Sequence, residues 1–310
     1  MNTHTSTGTG RAQAAGSPAE SPAESPLPAP PRGGARLQVE SATIGYDHHV
    51  ISQELSVSIP DRSFTVIVGP NACGKSTLLR GLSRLLKPSA GQVVLDGADI
   101  HSYKAKEVAR RVGLLPQTAI APDGITVADL VARGRYPHQG FIRQWTEADE
   151  QAVLRAMDQT AVTDLSGRLV DELSGGQRQR VWIAMALAQH TDILLLDEPT
   201  TFLDITYQIE LLELFTDLHQ VGHTLVAVLH DLNHAARYAT HLIAMKDGQV
   251  VAEGTPDQVV TAELVEEVFG LRALVVPDPV AGTPQVVPLG RERTRRGAAE
   301  TTEAESAAHD

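Results

Sequence analysis

The 310-residue chain has a single cysteine, which excludes an intrachain disulfide and any cysteine-cluster metal site and suits a reducing compartment. Basic side chains are in the minority, 26 Lys and Arg against 38 Asp and Glu, for a net charge of −12. Binders of a phosphate backbone carry net positive charge or a dense basic face, so no nucleic-acid partner is expected. Nowhere does an uninterrupted apolar run approach the ~18 to 20 residues needed to span a bilayer, so no membrane span is expected. Met1 to Pro31 also lacks an apolar core segment, and no secretory signal is expected there. At about 150 residues per domain, the length allows two domains or one large one.

Large apolar side chains are almost missing from both ends. Residues 1–36 are mostly Gly, Ser, Thr, Ala and Pro, with Pro18, Pro22, Pro26, Pro28, Pro30 and Pro31 supplying six of the 18 prolines. Such a segment buries too little apolar surface to offset its ordering entropy and reads as a disordered tail. Residues 291–310 read as a second tail, basic from Arg291 to Arg296, then small and acidic from Ala298 to Asp310.

What lies between, residues 37–290, alternates short apolar runs with amphipathic stretches. Phe64–Val68, Val112–Leu115, Ile193–Leu196 and Thr224–Leu229 predict strands buried on both faces. Helical patterns follow at Lys75–Leu86 and Tyr207–Leu218, so the fold class is α/β with a parallel sheet and a ligand site beyond the strands' carboxyl ends. Leu37–Ile44, Ser52–Ile59 and Gln92–Leu95 predict an antiparallel meander of more exposed strands. From about residue 119 to 190 helical periodicity prevails, and Thr146 to Asp149 predicts a capping box opening a helix to about Thr160. A helical subdomain inserted in the α/β core is therefore expected.

Three segments carry chemistry. Gly69-Pro70-Asn71-Ala72-Cys73-Gly74-Lys75-Ser76-Thr77 matches G-x-x-x-x-G-K-[ST] between a predicted strand and a predicted helix. Its glycines let backbone N–H groups close around phosphate oxygens, and the helix N-terminus adds partial positive charge. Lys75 supplies a full charge for terminal phosphates, and the Ser76 hydroxyl can ligate Mg²⁺. Next, Ile193–Leu196 ends in Asp197 and Glu198, one carboxylate suited to Mg²⁺ and the other to polarising an attacking water. Third, Leu173-Ser174-Gly175-Gly176-Gln177 opens a helix to about Gln189 and makes a second helix start able to meet an anion.

On these segments the chain resembles the ATP-binding cassette (ABC) family, whose signature motif is matched in full by Leu173 to Gln177. The resemblance spans about Leu37 to Gly290. It implies a P-loop NTPase core with an antiparallel β subdomain and a helical subdomain. It places Tyr46 as the aromatic that stacks on adenine, Gln117 in the Q-loop as a Mg²⁺ ligand beside Ser76 and Asp197, Asp204 in the D-loop, and His230 at the switch position. Glu198, His230, Gln117 and Lys75 become the expected catalytic set, with ATP and Mg²⁺ bound. Taken singly, Tyr46 is more often a strand-end tyrosine, Gln117 a loop glutamine and His230 a satisfied sheet-edge histidine; their order and spacing along the chain favour the family's roles. Two cassettes paired head to tail are implied, each ATP lying between the phosphate loop of one and residues 173–177 of the other.

No membrane span is fused to the cassette, which suggests a separate importer ATPase on the cytoplasmic face of a membrane. It would act on two permease subunits and, through them, on an extracytoplasmic substrate-binding protein. Arg133 to Gly140, Glu198 to Ile205 and Gly270 to Pro284 are similar to the ATPases of ferric-siderophore importers; haem and cobalamin importers share much of this pattern. A soluble cassette protein of translation or DNA maintenance is the reading of another class, and it fits poorly with a single cassette of charge −12. Tyr136, Phe141 and Trp145 are expected at the permease interface or in local packing. Cys73, at a helix start beside Lys75, is expected to have a favoured thiolate, whose alkylation ATP would block.

Overall fold

The strand predicted at Phe64–Val68 is buried at every position in the computed structural model, and the molecule is organised around it. The structure describes residues 1, 35–46, 49–140 and 145–290. Residues 2–34 of the first predicted tail, the whole of the second, and Phe141 lie outside these; Arg36, counted with the first tail, is instead paired with Asp96 at 2.7 Å.

Strands β1 (Leu37–Tyr46) and β2 (His49–Ile59) form an antiparallel pair. Strand β3 (Phe64–Val68) leads into helix α1 (Lys75–Leu82). The chain returns through β4 (Ala90–Leu95) and β5 (Ala98–Asp99), which complete a four-stranded antiparallel sheet in the order β2-β1-β4-β5. The expected meander is thus corrected: β1 lies in the middle, because β3 and α1 separate β2 from β4 and carry the chain to the other edge of β1. Helix α1 also stops short of the predicted Leu86. Arg84 takes a left-handed φ of +69°, held there by its guanidinium on the carbonyls of Ile100 (3.3 Å) and Tyr103 (3.2 Å).

After α2 (Ala105–Ala109) and β6 (Val112–Leu115) come the helices of the insertion. These are α3 (Val127–Ala132), a 3-10 turn over Arg133–His138, α4 (Glu147–Gln159) and α5 (Gly175–Ala188). Thr146 caps α4 through the predicted box with Asp149. Within the insertion the described residues hold only one isolated bridge, Thr126 to Leu169. The chain then passes through β7 (Ile193–Asp197), α6 (Ile205–Gln220), β8 (Thr224–Val228) and α7 (Leu232–Tyr238). An antiparallel hairpin follows, β9 (His241–Lys246) and β10 (Gln249–Gly254), with α8 (Pro256–Val259) and α9 (Ala262–Phe269) beyond it. A second hairpin, β11 (Ala273–Pro277) and β12 (Pro284–Pro288), closes the described chain.

The central sheet has the order β10-β9-β3-β8-β7-β6, parallel except for β10. Alternate side chains feed two cores, as strand geometry demands. Phe64, Val66, Val68, Leu194, Leu196, Leu225 and Ala227 face one, with α3 to α7. Ile67, Ile193, Leu195, Val226 and Val228 face the other, with α1 and the inner face of the antiparallel sheet. Phe64 meets Phe215 of α6 edge-on at 6.1 Å. Truncating one such strand leucine to alanine costs about 2 to 5 kcal/mol. The β9–β10 edge escaped the sequence reading. Its turn, Asp247 at φ +49° and Gly248 at φ +78°, is the Asp-Gly hairpin type whose twist matches the flanking strands.

Candidate functional site

Strand β3 delivers the chain to Gly69, where the backbone turns at once toward α1. A Cβ at Gly69 would run into the carbonyl oxygen of Met245 on β9, so only glycine lets the loop cross the neighbouring strand end. Gly74, the residue before α1, stands at φ +103°, which again favours glycine. Between them the loop curls over Lys75. This side chain is buried, and its Nζ donates to the carbonyls of Gly69 (2.8 Å) and Pro70 (2.7 Å).

Four neighbouring parallel strands end at one level. The ladders β6–β7 and β7–β8 pair Leu115 with Leu196 and Asp197 with Val228. Two residues beyond Leu115 is Gln117, one beyond Asp197 is Glu198, and two beyond Val228 is His230, so the order β3-β8-β7-β6 sets all three beside the phosphate loop. A cleft of about 520 Å³ results. Its walls include Asn71, Ala72, Gly74 to Thr77, Gln117, Glu198 and His230.

Glu198 is the hub of this cleft. The Gln117 amide nitrogen donates to one carboxylate oxygen at 2.7 Å, and His230 Nε2 lies 2.6 Å from the other. Thr201 adds a longer hydroxyl bond at 3.4 Å. The Glu198 backbone holds φ +52°, a conformation uncommon for residues with a side chain. Asp197 is buried and accepts from Ser76 Oγ at 2.9 Å. Burial pushes its carboxyl pKa up, the Ser76 bond opposes this, and the charge of Glu198 adds to the rise.

The residues present fit a magnesium–nucleotide complex. Ser76 and Asp197 present hard oxygen donors side by side, and Mg²⁺ takes one or two such ligands together with phosphate oxygens and water. The loop amides, the start of α1 and Lys75 offer the complementary positive end.

Other sequence-predicted residues lie apart. Ser174 caps α5 through a reciprocal box with Gln177. With Gly175 and Gly176 it is absent from the lining of the phosphate-loop cleft. Gly175 instead borders a second groove of about 340 Å³, with Gln117, Trp182 and Phe202 among its walls. Asp204 caps α6 by accepting from the Tyr207 amide at 3.1 Å and is likewise absent from the cleft wall. Tyr46 ends β1, is 38 % exposed and accepts from Arg80 at 2.9 Å, with that guanidinium 5.9 Å from its ring centre. Ile51 of β2 lines the cleft, and nothing in the sequence distinguishes it from any other strand residue.

Two expectations are settled against the sequence reading. Cys73 is only 5 % exposed, and burial pushes its thiol pKa up; the nearby Lys75 charge opposes this but is the smaller effect. The favoured thiolate expected from the helix start is therefore wrong, because desolvation outweighs a partial charge. Local packing for the aromatics of the insertion is also wrong for Tyr136 and Trp145, which are 67 % and 46 % exposed. The buried neighbour is Arg135, bonded to Asp149 at 2.9 Å and to the Ala188 carbonyl at 2.8 Å.

Comparison with known proteins agrees with this geometry. The ABC transporter family model matches residues 52–201. The ferric enterobactin transport ATP-binding protein FepC of Escherichia coli (strain K12) is 60 % identical over 83 % of this chain and 95 % of its own. The probable siderophore transport system ATP-binding protein YusV of Bacillus subtilis (strain 168) is 52 % identical over 84 % and 95 %. Among solved structures, a chain from the inward-facing form of a transporter assigned to the metal-chelate ABC type superposes with a TM-score of 0.70. That chain is 29 % identical, and the match covers 82 % of this chain and 97 % of the other. A strand-to-helix phosphate loop, paired acids at the end of a buried strand, a capped second helix start, and these likenesses lead to one conclusion: the chain belongs to the ATP-binding proteins of the ABC transporter family.

Proposed function

We propose that this chain is the ATP-hydrolysing, energy-coupling subunit of an importer of ferric siderophores. It works as a head-to-tail pair on two separate permease subunits at the cytoplasmic face of the membrane. The observation that carries the reading is the Gln117–Glu198–His230 cluster facing the phosphate loop across one cleft. That cluster is an arrangement for hydrolysis rather than for nucleotide binding alone. The siderophore assignment is supported by the two relatives named for ferric enterobactin and siderophore transport.

In this reading Asn71 to Thr77 wrap the phosphates, Lys75 leaves its two loop carbonyls for the terminal phosphates, and Tyr46 supports the adenine. Ser76, Gln117 and Asp197 would hold Mg²⁺, whose contribution when bound is to neutralise charge developing on the phosphate oxygens. Glu198 orients the attacking water and accepts its proton. Its side chain is kept ready from both sides, by the Gln117 amide and the His230 imidazole. A fixed donor on each oxygen reduces the reorganisation needed at the moment of reaction.

The head-to-tail pair has a physical basis in this chain. One phosphate-loop cleft uses one helix start, at α1, whereas Ser174 to Gln177 present a second, capped start on another surface of the chain. A second chain would bring its own Ser174 to the first chain's nucleotide, and Asp204 would then lie at the junction. Closing the pair around the γ-phosphate and reopening it after hydrolysis makes the dimer the bistable element. Among the described residues no helix is long and apolar enough to cross a membrane, and the permeases supply the path. The extracytoplasmic substrate-binding protein acts through them.

Disruption of the gene followed by uptake of radio-iron-labelled siderophores, haem and cobalamin tests this assignment. Selective loss of ferric-siderophore uptake is expected. Loss of haem or cobalamin uptake alone would move the chain to another cargo, and recovery with ribosomes rather than membranes would reject transport.

A further inference from the structure

Only Leu229, His230 and Asp231 separate the end of β8 from α7. His230 is therefore placed by whatever fixes α7, and its own side chain is 47 % exposed on the cleft side. Helix α7 is seven residues long and buries only two alanines fully, Ala235 and Ala236. So small an apolar face gives weak orientation compared with a helix carrying buried leucines. Leu232 and Tyr238 add partly buried contacts with the main core, and Tyr238 donates to Glu213 of α6 at 3.0 Å; the other polar ties of the helix run to the last described hairpin.

The chief tie is Asn233, whose side chain behaves like a piece of strand. Its Oδ1 accepts from the Val286 amide of β12 at 2.7 Å, and its Nδ2 donates to the Val286 carbonyl at 3.3 Å. Both polar groups of one backbone residue are thereby satisfied by one side chain. Val286 itself is buried. A second tie runs from Arg237, at the other end of α7, to Asp278 in the hairpin loop at 3.6 Å. Asp278 is fixed in turn by the amides of Val280 (2.7 Å) and Ala281 (2.8 Å). Ala273 and Val286 anchor the hairpin in the main core.

We infer that Asn233 is a positioning residue for hydrolysis: by clamping α7 to the β11–β12 hairpin it holds His230 against Glu198. This rests on the proposed role of His230, and it adds the hairpin, roughly forty residues beyond the switch in sequence, to the parts that govern turnover. Apart from His230, the nucleotide cleft is lined by residues of other elements, so the clamp acts on the reaction and not on ATP binding. A misplacement on the order of 1 Å in a reacting group lowers a rate by as much as about 100-fold, so a loosened α7 has room to reduce kcat substantially.

The test uses the full-length chain and steady-state ATP hydrolysis. Asn233→Ala is expected to lower kcat about tenfold while KM for ATP stays within about twofold. Asn233→Asp keeps the acceptor for the Val286 amide but loses the donor to its carbonyl; it should fall between wild type and Asn233→Ala. In a His230→Ala background, Asn233→Ala should add less than about a twofold loss, because the two residues act through one contact. Hydrogen exchange gives a readout independent of activity. The amides of Leu232 to Tyr238 should exchange at least about fivefold faster in Asn233→Ala, with those of Lys75 to Leu82 unchanged. A native kcat, a loss that multiplies with that of His230→Ala, or a parallel rise in KM would overturn the inference. If His230→Ala alone keeps the native kcat, it is the proposed role of His230 that fails, and the clamp fails with it. If His230→Ala lowers kcat and Asn233→Ala does not, only the clamp is lost.

Discussion

Glu198 and His230 meet at 2.6 Å across the ends of two adjacent parallel strands, β7 and β8. The opposite oxygen of the same carboxylate is held by Gln117 from the end of β6 at 2.7 Å. One carboxylate thus gathers three strand ends into a single site, and its removal tests the site most directly.

Glu198→Gln preserves the shape of the side chain and removes the proposed base. ATP binding is expected to persist, a closed dimer to accumulate, and turnover to drop by about 100-fold or more. Size-exclusion chromatography with ATP and a phosphate-release assay read the two effects. Unimpaired hydrolysis would remove Glu198 from the mechanism.

Lys75 is buried with its charge on two loop carbonyls, and alanine would leave phosphate oxygens without that charge. Loss of a charge-assisted contact predicts ATP binding roughly 10- to 100-fold weaker in Lys75→Ala. Equilibrium binding of a fluorescent nucleotide measures it, and near-native affinity would contradict the assignment.

The buried Cys73 thiol, with its pKa raised, should resist alkylation. Iodoacetamide at pH 8 is expected to label the native chain far more slowly than the urea-denatured chain, whether or not ATP is present. Rapid labelling of the native protein that ATP prevents would restore the reactive thiolate.

Asp149 ties the insertion together through Thr146 and Arg135, and its carboxyl is held at about 2, against an ordinary 3.8. The Thr146 hydroxyl is the largest cause; burial opposes it, and the Arg135 bond lowers the value further. A lowered folded-state pKa stabilises the fold fully above the ordinary value and loses that contribution as pH falls through the folded one. Stability in urea should therefore decline between about pH 4 and pH 2, and this part of the decline should vanish in Asp149→Asn. At pH 7 that variant leaves Arg135 buried without its counter-ion, at a cost of about 3 kcal/mol.

Tyr136 and Trp145 are exposed on the insertion, and Tyr136 stands 4.9 Å from the Lys106 ammonium. Exposed aromatics of this kind suit a protein interface. Tyr136→Ala is expected to bind ATP normally and to lose transport in membrane vesicles carrying the permeases. Loss of ATP binding would place Tyr136 in the nucleotide site instead.

The parallel strands were legible because residues buried on both faces leave unbroken apolar runs such as Ile193–Leu196. The phosphate loop was legible because its chemistry is local, with glycine, lysine and hydroxyl falling within nine residues. The β9–β10 hairpin and the C-terminal hairpin carry weaker signals. β10 is half-buried and β11 largely exposed, so neither of these two strands carries an unbroken buried apolar run. Cys73 was misjudged because the sequence shows a helix start and a lysine but not the packing that removes water from the thiol.

The sequence by itself determined the local devices: the loop that turns from β3 into α1, the acids that end β7, and the capped start of α5. Each depends on residues within one turn or one strand, where backbone geometry and charge act at short range. Only the tertiary structure decided how they combine. Gln117, Glu198 and His230 are far apart in the chain and meet because β6, β7 and β8 are neighbours ending at one level. The same folding left Ser174 and Asp204 outside that cleft wall. Sheet order is set by which apolar faces bury together over the whole chain, and no local stretch of residues carries that information.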